Sequence, residues 1–288
     1  MTETRSGQVE VSNASAPSVD AAAAHAEAPA LQAALARVEA IARDAGEILL
    51  EGWDRRPTVE YKSAERDVVT EFDRRAEALV VARLSAAFPD AGIVGEEGAA
   101  HPDRGGGTFY VDPLDGTVNF AHGLPLFAVS IGLWRGGVPV LGVVHAPALG
   151  WSFAGGPGLG ALRNGSPISP SLNARLDESL LVTGFPTALA NRPGNTPAFV
   201  AFNSVAQGVR RLGSAALDLC FVACGWLDGT WQRKLYPWDT VGAAAILLAA
   251  GARITELDGR PFDALTGDVL ASNGLIHDEM IALLAQTA

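Results

Sequence analysis

The chain has 288 residues, enough for one large domain or two small ones with a sizeable core. Its 21 Lys and Arg face 32 Asp and Glu, a formal charge of −11. This argues against nucleic acid or an anionic membrane as the main partner, because both are bound through clustered basic side chains. An acidic chain suits a cation instead, provided its carboxylates converge in space. Cys220 and Cys224 cannot frame a disulfide scaffold; four residues apart on one helix face, they read as small buried side chains in a reducing cytoplasm. No apolar run has the length of a membrane span, and no apolar secretory core opens the sequence.

Residues 1–28 are polar, rich in Ala and Ser, and carry a net −3. They bury too little apolar surface to offset their ordering entropy, so they read as a disordered tail before a folded domain over 29–288. Helical periodicity starts near Ala30, with Leu31, Leu35, Val38, Ile41, Ala45, Ile48 and Leu49 on one face. A second helix is expected from Glu71 to Phe88, ended by Pro89-Asp90. Thr108 to Val111 reads as a strand. The runs 127–134 and 138–145 read as a hairpin around Arg135-Gly136-Gly137. The Gly-rich run 155–160 reads as a loop, and Asn164-Gly165 as a tight turn between short strands. Strands are then expected near 180–183, 228–232, 253–256 and 269–271, with helices near 197–207, 215–224, 238–250 and 275–285. The order describes layered α and β structure, with an α+β half to about 178 and an α/β half after it.

The acids sit where these elements end. The apolar run Phe109-Tyr110-Val111 leads into Asp112, and Pro113 disrupts ordinary strand pairing there. Asp115 follows three residues on, so a tight turn can aim both carboxylates and the Leu114 carbonyl at one point. Hard cations such as Mg²⁺ take oxygen donors of this kind. Gly116-Thr117 reads as the start of a short helix, where exposed N–H groups suit an anion. By itself the segment is equally a plain turn. Two further acidic sites weigh against that: Glu96-Glu97 after Ile93-Val94-Gly95, and Asp239 at the start of a helix, where capping alone would also explain it. Thr70 and Asp73 fit a capping box, and that cap can also face a cleft. Lys62 is the basic residue expected near the acids. The five histidines show no zinc spacing, and no P-loop, nucleophile elbow or dinucleotide fingerprint is present.

Together these residues resemble the inositol monophosphatase family. Asp112-Pro-Leu-Asp115-Gly-Thr117 matches its first motif, and Trp238-Asp239 with the small-residue helix after it matches its second. Gly95-Glu96-Glu97, Lys62 to Asp73 and Gly213-Ser-Ala215-Ala-Leu-Asp218 follow its other blocks in order. The resemblance spans about 30–287 and implies a layered αβαβα sandwich of the inositol monophosphatase and fructose-1,6-bisphosphatase type. It implies a Mg²⁺-dependent, lithium-sensitive phosphomonoesterase with two or three ions per site, and a homodimer. By position, Glu96, Asp112, the Leu114 carbonyl, Asp115 and Asp239 would hold the metals, and Gly116 and Thr117 the phosphate. Thr117 with Asp73, and Glu96, would activate water; Ala215, residue 232 and Asp239 would face the substrate. Gln232 stands where family members often carry Glu, which keeps an acceptor and removes a charge. Inositol 1-phosphate is the first expected substrate. Histidinol phosphate, fructose 1,6-bisphosphate and a 3′,5′-bisphosphate nucleotide remain open. A different class, an accessory partner of an RNA transcription complex, would need a basic patch, which the acidic balance opposes.

Overall fold

A computed structural model describes residues 21–53, 60–61, 68–186 and 194–287 of the chain. Helix α1 (Ala21–Trp53) buries Leu35, Val38, Ile41, Ala45 and Leu49 along the expected face. It reaches back through Pro29 to Ala21, so residues 21–28, expected as tail, are helical. Four consecutive alanines, the best helix formers, start it, and Pro29 removes one N–H from the ladder without ending the helix. Strands β1 (Glu60–Tyr61) and β2 (Val68–Val69) form a short antiparallel pair before α2 (Glu71–Ala87). Lys62 lies outside the described residues.

The large sheet contains β3 (Gly92–Gly95), β4 (Ala100–His101) and β5 (Thr108–Asp115), then, after the short helix α3 (Thr117–Ala121), β6 (Ala128–Arg135) and β7 (Val138–Ala146). It is completed by β8 (Trp151–Gly156), β9 (Gly160–Arg163) and β10 (Ser166–Pro167), giving the order β10-β9-β8-β7-β6-β5-β3-β4. Two expectations change here. Gly155 and Gly156 belong to β8 rather than to a loop, because a side chain at Gly156 would strike the Val140 carbonyl of β7. And β5 continues past Val111 to Asp115. Between Asp112, opposite Ser130, and Asp115, opposite Ala128, two residues of β5 face one of β6. Pro113, with no N–H to offer a ladder, sits in that bulge.

The second half begins with β11 (Leu180–Thr183), α4 (Thr196–Val205), β12 (Gly208–Arg210) and α5 (Ala215–Ala223). It continues through β13 (Gly229–Gln232), α6 (Pro237–Ala249), β14 (Arg253–Thr255), β15 (Val269–Ser272) and α7 (His277–Ala285). Its five strands take the order β12-β11-β13-β15-β14. The layers then follow from three cores. One joins α1 and α2 to the large sheet through Leu49, Phe72, Ile131 and Val143. The second fills the space between the two sheets with α5 and α6, and the third packs α4 and α7 on the outer face of the small sheet around Phe202, Trp231 and Met280. This is the expected αβαβα sandwich. Among the described residues, no helix is long and apolar enough to cross a membrane.

Helix α6 lies unusually close to the large sheet. Gly132 of β6 and Gly142 of β7 face Gly242 of α6, and a Cβ on either strand glycine would overlap the Gly242 backbone. Backbone therefore packs on backbone along the turn that follows Asp239. Gly142→Ala should force the helix outward and destabilise the fold by about 1–3 kcal/mol, the usual cost of overpacking. Thermal melts of the variant and the parent check this; an unchanged melting temperature would contradict the close approach.

Candidate active site

Helix starts and a strand end meet at the acids. The β5 bulge delivers Asp112 and Asp115, which are 2% and 7% exposed. The Leu114 N–H donates to Asp112 Oδ1 at 2.9 Å, closing the local turn. Glu96 lies just beyond β3, and its own N–H is bonded to the Val111 carbonyl of the parallel neighbour β5 at 3.1 Å. Asp239 is the third residue of α6 and accepts the Tyr236 N–H at 2.7 Å, an N-terminal cap.

Electrostatics shows that these acids face one another. Burial pushes the Asp112 carboxyl well above its ordinary range, and the charges of Glu96, Asp115 and Asp239 push it further. Burial pushes Asp115 up to about 6, against the pull of hydrogen bonds from Ser214 and the Ala216 and Ala215 N–H groups. Those bonds measure 2.5 Å from Ser214 Oγ, 2.8 Å from Ala216 and 3.1 Å from Ala215, so Asp115 caps the start of α5.

Beside the acids stands a hydroxyl–carboxylate pair. Asp73 of α2 accepts the Thr70 N–H at 2.9 Å and the Thr70 hydroxyl at 2.5 Å on Oδ2, the expected capping box. Its Oδ1 faces the Thr117 hydroxyl at 3.4 Å, and that hydroxyl also lies 3.0 Å from the Leu114 carbonyl. Burial pushes the Asp73 carboxyl up to about 6, with the Glu96 charge adding to it and the Thr70 bonds opposing it. Gly116, between Asp115 and Thr117, has φ +93°, and a Cβ there would lie 2.8 Å from the Leu126 carbonyl oxygen, so only glycine fits. Asn119 then ties α3 to the approach of α5, donating to the Leu126 and Leu212 carbonyls at 2.7 and 2.8 Å.

The sequence reading missed one buried acid, Glu77, and named another, Asp218, only as part of a matching block without a role. Glu77, one helical turn after Asp73, accepts the Glu97 and Ala99 N–H groups at 2.8 and 3.1 Å and so fixes the loop that carries Glu96. Its signal was present: it shares the inward face of Phe72, Asp73, Ala76 and Val80. Asp218, in the first turn of α5, is 1% exposed and accepts the Gln232 side-chain amide at 3.0 Å. Burial and the Asp115 charge push its carboxyl up, while the Gln232 bond holds it down. At the rim, Tyr236 is exposed and stacks on Trp238, with ring centres 4.8 Å apart.

Among the described residues, no three acid, His or Cys side chains form a finished metal-ligand set. The donors themselves are all oxygen: four carboxylates and a carbonyl, with no thiol and no imidazole. That chemistry fits a hard divalent cation, and the mutual repulsion around Asp112 is the kind a cation would relieve.

A family model described as the inositol monophosphatase family matches residues 31–288. Inositol-1-monophosphatase of Synechocystis is 42% identical over 245 residues, 84% of this chain and 85% of that protein. The fructose-1,6-bisphosphatase/inositol-1-monophosphatase of Thermotoga maritima is 36% identical over 250 residues, 84% of this chain and 92% of that protein. The solved inositol monophosphatase of Anabaena (Nostoc) superposes with a TM-score of 0.82 at 40% identity, covering 90% of this chain and 97% of that one.

A divalent cation at a hundred times its Kd should stabilise the fold by about 2.7 kcal/mol. Asp112→Asn removes a charge from the centre of the repulsion, so it should melt no lower than the parent in chelator and lose the cation's increment. Melting curves with and without Mg²⁺ read both effects.

Proposed function

Because the chain belongs to the inositol monophosphatase family of phosphoric monoester hydrolases, we propose that it is a Mg²⁺-dependent phosphatase of small polyol phosphates, with inositol 1-phosphate as substrate. The observation that carries this is that half-buried Glu96 and Asp239 press their charges on buried Asp112, with buried Asp115 and the Thr117–Asp73 pair close by. Those four carboxylates and the Leu114 carbonyl would hold the ions. When bound, Mg²⁺ supplies the charge that phosphoryl transfer needs and acidifies water at the phosphorus.

The chain's own residues do the rest. Gly116 and Thr117 bring backbone close to the phosphate, with no side chain at Gly116 to obstruct it. The Thr117 hydroxyl, donating to Asp73, turns a lone pair outward to orient the attacking water. As that water adds to phosphorus and the ester P–O bond breaks, its proton can pass to Thr117 Oγ while the Thr117 proton moves to Asp73. A carboxyl pushed up to about 6 is a suitable acceptor near neutral pH. Glu96 would serve as a second acceptor. Ala215, Gln232 and Asp239 would face the polyol, and Lys62 would add a positive charge near the acids. We place the enzyme in the cytoplasm as a homodimer, in keeping with its free cysteines and its family.

The decisive experiment is phosphate release with Mg²⁺, with and without Li⁺. Inositol 1-phosphate should be turned over fastest in a panel with histidinol phosphate, fructose 1,6-bisphosphate and adenosine 3′,5′-bisphosphate, and Li⁺ should inhibit. Asp115→Asn should abolish turnover while the circular dichroism spectrum is retained. Thr117→Ala should lower kcat by about 10²–10⁴, the usual range for a lost general base relay. Near-normal turnover by Asp115→Asn would refute the metal assignment.

A further inference from the structure

Glu77 is 6% exposed and faces inward from α2 among Phe72, Asp73, Ala76 and Val80. A helix kept only for packing would carry an apolar side chain there. A carboxylate is the costlier choice, because burial disfavours its charge and Asp73, one turn earlier, is a like-charged neighbour. Both of its oxygens are used: Oε2 accepts the Glu97 N–H at 2.8 Å and Oε1 the Ala99 N–H at 3.1 Å. An amide could satisfy only one of the two, since its NH₂ end would meet the other N–H. These bonds form one side of a clamp on residues 96–99. On the other side the Gly95 N–H donates to the Ala99 carbonyl at 2.8 Å, and the Glu96 N–H to the Val111 carbonyl of β5 at 3.1 Å. Gly95 lies so close that a Cβ there would overlap Glu77 Oε2. The backbone of Glu96 is thus held between β5, which carries Asp112, and α2, which carries Asp73.

We propose that Glu77 is a positioning residue for the cation site: by accepting both N–H groups it fixes the loop that presents Glu96 to Asp112, and so sets the affinity for a divalent cation. The inference rests on the reading of the clustered acids as metal ligands. Glu77 is no ligand in this scheme and acts only through the loop. A carboxylate on an unbraced loop would lose its freedom when the ion arrives, and that cost would weaken binding. Here the fold bears the cost in advance. Loss of a group that orients a metal ligand typically weakens binding by ten- to a hundredfold.

The test is Mg²⁺ titration of the full chain by calorimetry, with melting curves in chelator. Glu77→Gln keeps the size and loses one acceptor, so the Kd for Mg²⁺ should rise about tenfold or more. Gly95→Ala leaves Glu77 intact but drives its carboxylate off the loop. Gly95 does not have positive φ, so alanine adds no backbone strain, and the same rise is expected. Glu77→Asp keeps the charge on a shorter stem, can reach one N–H, and should fall between parent and Gln. If Glu77→Gln does not fold, these two variants carry the test. Phosphate release should follow: the Mg²⁺ concentration for half-maximal rate rises, while KM for inositol 1-phosphate at saturating Mg²⁺ stays near that of the parent. As a control, Met280→Ala opens a cavity in the outer core, so it should melt lower in chelator with Kd unchanged. A Kd like the parent's in both Glu77→Gln and Gly95→Ala, however low they melt, would overturn the positioning role. So would a Met280→Ala variant that weakens Mg²⁺ as much as they do. A parent with neither binding heat nor a melting shift in Mg²⁺ would overturn the metal reading, and this inference with it.

Discussion

The separation of α6 from the large sheet is the constraint on which the site depends. Asp112 belongs to the sheet and Asp239 to the helix, and the two interact only because the helix lies on the strands with no side chains between. Gly132, Gly142 and Gly242 make that possible. They are also why α6 is so rich in small residues: Ala243, Ala244 and Ala245 are all fully buried between layers. A bulky residue at any of these points would improve local burial of apolar surface and carry the Asp239 carboxylate away from its partners. Packing density at the centre of the molecule and ligand spacing at its edge are thus one property.

Bringing acids this close is unfavourable in itself. Burial and mutual repulsion both raise the Asp112 carboxyl. Helix starts offset part of the cost. Asp73, Asp115 and Asp239 each sit at the N-terminal turn of a helix, α2, α5 and α6 respectively, where unsatisfied N–H groups and the helix dipole favour negative charge. The dipoles cannot neutralise the cluster fully, and the shifts that remain express the electrostatic strain that a bound cation would release.

Much of this was legible along the chain, because the clustered acids interrupt apolar patterns. Asp112 ends an apolar run, Asp239 opens an apolar helix, and Asp73 completes a capping box; each breaks a periodicity that is otherwise easy to follow. Glu77 interrupts a pattern too, but inside a helix, where a single acid resembles a solvent-facing residue until the helix is docked. The β5 bulge was hidden for a different reason. Pro113 signals that pairing is disturbed, yet whether a strand stops or bulges depends on its partner, and only β6 decides that. The backward extension of α1 across Pro29 likewise ran against the strongest local rule available. The contact of Gly132 and Gly142 with Gly242 joins residues about a hundred positions apart, which no local pattern reports.

Most of the acids give one of their two oxygens to the fold. Asp73 gives Oδ2 to Thr70 and turns Oδ1 to Thr117. Asp112 gives Oδ1 to the Leu114 N–H, and Asp239 gives Oδ2 to the Tyr236 N–H. Gln232 is held at both ends of its amide, by Asp218 at one and against Gly184 at the other. A side chain held at one atom has lost its rotamer freedom before any ligand arrives, so binding need not supply that entropy. Asp115 is the exception: both its oxygens are engaged at the start of α5, by Ser214, Ala215 and Ala216. A cation there would have to share those oxygens with the helix. The occupancy of the site and the seating of α5, which also carries Asp218, are therefore linked through a single carboxylate.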